Sequence, residues 1–240
     1  IKEIIFALMM LVSFFSLFLS YNLFFIKNRN ISFFHEDIYL FIYLIILIFL
    51  FFLLFNSEYN FSVILLSLTS SISNIGISLD HSPQSLSFIF LILVIIGGSF
   101  FSTSSGIRFL KIYALFKFAI NDLISHVRPK NVFLNRDLFL NISFHKVEID
   151  KYFLSVMIFI MSLFLLTSFL TVSGISLESS FKLSILTLMN TVNSSMYDMN
   201  YFDFQGLEFF TKYYLIIFMI IGRVELLTLL IICKKFLFKN

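Results

Sequence analysis

Residues 38–55 read IYLFIYLIILIFLFFLLF, eighteen positions without one charged or amide side chain. As a helix rising 1.5 Å per residue, the run covers about 27 Å, close to the ~30 Å hydrocarbon thickness of a bilayer. One such run also suits the core of a large soluble protein; several in one short chain do not. Comparable windows give expected spans at 4–26, 37–55, 86–98 continuing through 107 to about 124, 152–173 and 209–233. Hydrophobic residues are 59% of the 240 and charged residues 13%, about half the ~25% charge of an ordinary soluble domain. The chain is therefore read as an all-α integral membrane protein. Cys233 is the single cysteine, so neither a disulfide framework nor a thiolate metal cluster is available. Ile4–Ile26 ends in Lys27-Asn28-Arg29 instead of a small-residue cleavage site, and reads as a span and not a signal peptide. Ile1 stands almost inside that helix, which gives the expectation that the sequence is the later part of a longer design.

Two apolar segments, Phe61–Ile72 and Phe181–Val192, are too short to cross at about 18 Å and suit helices that enter the membrane part way. Each is followed by a polar stretch and then a long apolar one. The order long helix, short helix, polar loop, long helix thus occurs twice, with the loops 116 residues apart, the hydropathy repeat of a membrane transport fold. Basic residues orient it. Thirteen of the seventeen, among them Lys27, Arg29, Arg108, Lys111, Arg128, Lys151 and Lys234, fall on one side of the expected spans. That side is the cytoplasm by the positive-inside rule, and both short segments then dip in from outside.

Non-helical backbone at membrane depth is tolerated where protein shields it or where it lines a water-filled path. The loops LTSSISNIGISLDH (68–81) and LTLMNTVNSSMYD (186–198) would meet that condition around a lumen, where backbone carbonyls can replace the hydration shell of a monovalent cation. Asp80 and Asp198, just outside each loop, would raise the local cation concentration. The alternative is a pair of ordinary external loops rich in hydroxyls. A third irregular stretch, VIIGGSFFSTSSGIRFLK (94–111), breaks a span with small and polar residues. Arg223 lies inside the last span, where a guanidinium must face protein or water; Glu225, two positions on, does not share its helix face. A pore-facing charge and a structural ion pair are both open for it. Residues 126–150 read as a cytoplasmic connector, and His126 and His145 lack the spacing of a metal site. No paired carboxylates, nucleophile elbow or phosphate-binding glycine loop appears, so no enzyme is expected.

The motifs resemble those of a known family. GGSFFSTSSGIRFLKIYALFK is similar to the glycine- and serine-rich break of the Trk/Ktr/HKT potassium transporter superfamily, in its TrkH-like membrane subunits. Gly97, Gly98, Ser102, Thr103, Gly106 and Ile107 match, with Arg108 in place of Lys. VRPKNVF (127–133) resembles the family's short connector, and IIGRVELLTLLII (220–232) its final helix through Gly222, Arg223 and Glu225. In the second loop Asn190 matches, while Met189-Asn190-Thr191-Val192-Asn193-Ser194 stands where relatives carry a glycine-rich run.

The resemblance implies helix, re-entrant pore-helix, helix units around one pore. Residues 1–30 would be the last helix of a preceding unit, 31–125 a third unit with a broken second helix, 126–151 the connector and 152–240 a fourth unit. It implies a K+ filter at Ser73, Asn74, Ile75, Gly76, Asn190, Thr191, Val192 and Asn193. The gating loop would be Gly97, Gly98, Ser99, Ser102, Thr103, Ser104, Ser105 and Gly106, with Arg223 and Glu225 as pore charges. K+ would be the transported ion, with no cofactor and no metal apart from it. The expected partners are membrane lipid, a cytoplasmic nucleotide-binding regulatory subunit of the TrkA or KtrA type, and a second copy or a missing N-terminal half. The expected place is a bacterial inner membrane with the C-terminus in the cytoplasm. The other reading is a non-conducting remnant or scaffold subunit that keeps the helices with a degenerate filter.

Overall fold

The computed structural model describes residues 2–15, 34–55, 60–77, 86–99, 102, 104–127, 146–191, 195–199 and 202–223. Eight α-helices lie among the described residues: α1 Lys2–Phe14, α2 Phe34–Phe55, α3 Phe61–Ile72, α4 Ser87–Ile95, α5 Phe109–Val127, α6 Lys146–Val172, α7 Leu177–Leu188 and α8 Phe209–Arg223, with a 3-10 turn at Ser195–Tyr197. No strand occurs among them beyond one isolated parallel bridge between Ile96 and Ile107.

The short helices sit inside and the long ones outside, with polarity inverted relative to a water-soluble bundle. Ser67, Thr69, Ser70 and Ser71 of α3 and Ser180, Ser184 and Thr187 of α7 are buried. Phe41, Ile45, Phe49 and Leu53 of α2 and Phe153, Phe164 and Leu165 of α6 face outward. Hydroxyls tolerate burial because they bond to their own helix: Thr69, Ser71, Ser184 and Thr187 donate to the carbonyls four residues earlier at 2.6–2.9 Å. An outer surface of Phe, Ile and Leu is stable against lipid and not against water. Glu148–Val172 is, among the described residues, the one helix both long and apolar enough to cross a bilayer by itself; Asp37–Leu53 is a shorter apolar one.

The packing repeats as the hydropathy does. Helix α3 lies between α2 and α4, and α7 between α6 and α8. Each short helix also leans on the preceding unit, α3 on α1 and α7 on α4.

Several boundaries differ from the sequence expectation. Phe61–Ile72 holds residue for residue. The apolar pattern predicts 181–192 for the second short helix, but the helix occupies Leu177–Leu188, four residues earlier. The reason is local: the Ser176 side chain accepts from the Ser179 N–H as an N-cap, and Glu178 stands in the first turn, where the helix dipole favours a carboxylate. With that correction α3 and α7 are twelve residues each and stand 116 positions apart. Helix α6 likewise starts before the expected 152, at Lys146. The continuations expected through 16–26 and 224–233, and the connector at 128–145, lie outside the described residues.

Helix α8 approaches the end of α7 at Gly222, where a Cβ would overlap the Leu188 carbonyl oxygen. Gly222→Ala is therefore expected to push the two helices apart and destabilise the fold by about 1–3 kcal/mol, the range for overpacking. A lowered thermal midpoint of the detergent-solubilised chain, compared with that of a Gly206→Ala control outside the helices, checks this.

Candidate functional site

Both short helices end in the same way. After α3, Ser73 is right-handed and Asn74 turns left-handed at φ 58°, the Asn74 N–H bonds to Ser71 O at 3.2 Å and the Ile75 N–H to Ser70 O at 3.1 Å. After α7, Asn190 is left-handed at φ 53°, its N–H bonds to Thr187 O at 3.2 Å and the Thr191 N–H to Leu186 O at 3.0 Å. These are two Schellman caps with asparagine in the position usually held by glycine, a residue whose short amide tolerates the left-handed region. Each cap satisfies the last carbonyls of a helix ending inside the fold and throws the chain into an irregular segment. Gly76 continues the first with φ 80°. Val192 and Asn193 lie outside the described residues.

The third irregular stretch satisfies its own backbone. Ile96 and Ile107 pair in parallel, with the Gly97 N–H on Ile107 O at 2.9 Å and the Ile107 N–H on Ile95 O at 3.0 Å. The Ser99 N–H reaches Phe14 O at 3.1 Å, Ser102 N–H reaches Ser99 O at 3.0 Å, and Gly98 N–H reaches Ser104 Oγ at 2.9 Å. Gly98 must be glycine because a Cβ would overlap Phe14 O, and a Cβ on Gly97 would lie 2.5 Å from Ser105 O. Remaining carbonyls are gathered by Arg108, whose Nη1 lies 3.1 Å from Ser99 O, 3.1 Å from Ser102 O and 3.2 Å from Ser104 O. Ser99, Ser102, Ser104 and Ser105 are all buried. The break is thus a folded plug between α4 and α5, latched by one guanidinium; Thr103 lies outside the described residues.

Arg223 ends the described part of α8 and donates from Nη1 to Ser105 Oγ at 3.2 Å, tying α8 to the plug between α4 and α5. Glu225 lies outside the described residues. One turn back on α8, the Met219 carbonyl accepts from Asn190 Nδ2 at 3.0 Å. The same helix thereby holds the second loop and the plug. A cavity of about 40 Å³ lies at this junction, bounded by Gly106, Ile107, Lys111, Ser155, Met189 and Gly222. Lys111 is buried there and donates to Ser155 Oγ at 3.3 Å.

Asp198 does not have the free carboxylate expected of it. Its Oδ2 lies 3.2 Å from Lys182 Nζ, which also pairs with Glu178 at 2.8 Å. Burial acts to lower the Lys182 pKa, but the hydrogen bonds and charges of Glu178 and Asp198 outweigh it and hold the pKa above its usual value. The lysine therefore stays charged and offsets one of the two carboxylates it joins, so the attraction that Asp198 would exert on a cation is weakened and not removed. Asp80 lies outside the described residues.

The structure brings Gly97–Ser99, Ser102, Ser104–Gly106 and Arg223 into one assembly, with Asn190 and Thr191 a helical turn away. Ser73–Gly76 form the matching loop after α3. Sequence reasoning missed the latch by Arg108, although a cation beside a run of unpaired carbonyls is the signal for it. It also missed Lys182, whose spacing of four from Glu178 was readable. Among the described residues no group of three or more His, Cys, Asp or Glu is placed to hold a metal ion.

No protein-family model matches the chain, and no curated protein matches it either. Among solved structures it matches the crystal structure of the potassium transporter TrkH from Vibrio parahaemolyticus, with a TM-score of 0.63 and 22% identity. The match covers 82% of this chain and 43% of that one, so the chain spans less than half the length of the structure it matches. At this identity the likeness shows the fold: an all-helical membrane-transporter fold, here in part.

Arg108→Gln removes the latch and keeps a polar side chain of similar reach. Hydrogen exchange in lipid nanodiscs is expected to quicken at the Gly98 and Ser102 amides by at least about tenfold, since bonds to a charged donor are worth about 1.5–3 kcal/mol. The α3 amides should be unchanged.

Proposed function

We propose that the chain is a pore-forming part of a Trk-type potassium uptake system, carrying two of its filter loops and one gating plug. The observation that carries this reading is the repeated loop: two twelve-residue helices 116 positions apart end in the same left-handed asparagine cap. Partly dehydrated K+ would pass along backbone carbonyls near Ser73–Gly76 and Asn190–Asn193. The plug from Gly97 to Gly106 would lie beneath, held shut by Arg108 and Arg223. The setting is the inner membrane of a bacterium with the C-terminus in the cytoplasm. The remaining units, a second copy and a nucleotide-binding regulatory subunit of the TrkA or KtrA type complete the assembly. Neither catalysis nor a cofactor has a part in it.

A second reading, a non-conducting scaffold subunit, is favoured by one observation. Lys182 pairs with Asp198 at the outer mouth, which weakens an attraction a conducting entrance would use.

A bacterial strain lacking its own K+ uptake systems separates the two. Expressed with a supplied N-terminal half, the chain is expected to restore growth at low K+ and 86Rb+ uptake, and Arg223→Ala is expected to raise the uptake rate by opening the plug. Membrane insertion of both halves without Rb+ uptake would sink the transport reading and leave the scaffold.

A further inference from the structure

The two asparagine caps differ in what their side chains do. Asn190 bonds to the Met219 carbonyl. Asn74, at the equivalent place in the third unit, is 6% exposed, and neither its Oδ1 nor its Nδ2 has a hydrogen-bond partner. On α3 just behind it, Thr69, Ser71 and Ser73 bond back to their own helix. Ser67 and Ser70 do not: both are fully buried and both hydroxyl oxygens lack a partner. Ser67 and Ser70, three residues apart, share one helix face that runs toward the cap.

Buried amides and hydroxyls in native folds are satisfied by protein or by a small enclosed molecule. These atoms are already enclosed by this chain, so a further protein unit packed against it could not reach them. The occupant must therefore be small. A monovalent cation could use Oδ1 and the two hydroxyl oxygens, yet it offers nothing to the Nδ2 donor. Water serves both, accepting from Nδ2 and donating to oxygen, with about three hydrogen bonds in all.

We infer that Ser67, Ser70 and Asn74 form a buried water site behind the loop of the third unit. The loop of the fourth unit is tied to α8 by protein, whereas that of the third is supported through solvent. This difference holds whether or not the chain carries K+.

Water-to-protein magnetisation transfer by solid-state NMR, on the whole chain in lipid bilayers, tests it without any substitution. Ser73-Asn74 is the one Ser-Asn pair in the sequence, so 13C′-Ser, uniformly 13C,15N-Asn labelling picks out the Asn74 backbone nitrogen, and the intraresidue carbons carry the assignment to Nδ2. The expected result is a water cross-peak to Asn74 Nδ2 at short mixing times, unchanged when K+ is replaced by N-methylglucamine, while the Leu68 and Ile72 backbone amides show none. Absence of that cross-peak would overturn the proposal. So would a cross-peak that K+ or Na+ abolishes and N-methylglucamine restores, which would make the site a cation site instead.

Discussion

Every irregular segment of this fold answers one demand: a peptide group away from water must find a partner inside the protein. Three segments leave the helix in an otherwise apolar molecule, and each meets the demand differently. The plug pairs Ile96 with Ile107, borrows Phe14 O from the neighbouring unit and gathers three carbonyls on Arg108. The two caps close over their own helix ends by bonding residues 75 and 191 back to Ser70 and Leu186. Where the backbone approaches another chain segment, glycine removes the side chain that would intervene, as Gly98 does against Phe14 and Gly222 against Leu188.

The same demand explains why α8 is central. Within one helical turn it accepts from Asn190 through Met219, contacts the end of α7 at Gly222 and reaches Ser105 from Arg223. Arg223 donates to a protein hydroxyl while its side chain stays largely exposed, so the bond to Ser105 meets part of its need for polar partners. A movement of α8 would be felt at the loop after α7 and at the plug together.

Much of this was legible in the letters. The fold class follows from apolar windows of bilayer length, and the repeat from two short windows with polar tails. Phe61–Ile72 is bounded correctly because Asn60 precedes an unbroken apolar pattern and Ser73-Asn74 follows it. The second short helix is displaced in the sequence reading because Glu178, Ser179 and Ser180 dilute the apolar signal, while the Ser176 cap that starts the helix is a weaker cue than hydropathy. Asp198 is legible only in part for a related reason. Its charge is visible in the sequence, but the lysine paired with it stands sixteen residues earlier, on a different element.

What the sequence by itself determined is where the chain must be helical, which stretches cannot be, and that lipid surrounds it. Those properties depend on residues close in the chain, through hydrophobic period, length and capping. The tertiary structure alone decided who satisfies whom: Arg108 with the carbonyls of Ser99, Ser102 and Ser104, Arg223 with Ser105, Lys182 with Asp198, and Asn190 with Met219 while Asn74 keeps its amide free of protein. Hydrogen bonds act over about 3 Å, and only packing of the units brings residues separated by up to 118 positions within that range.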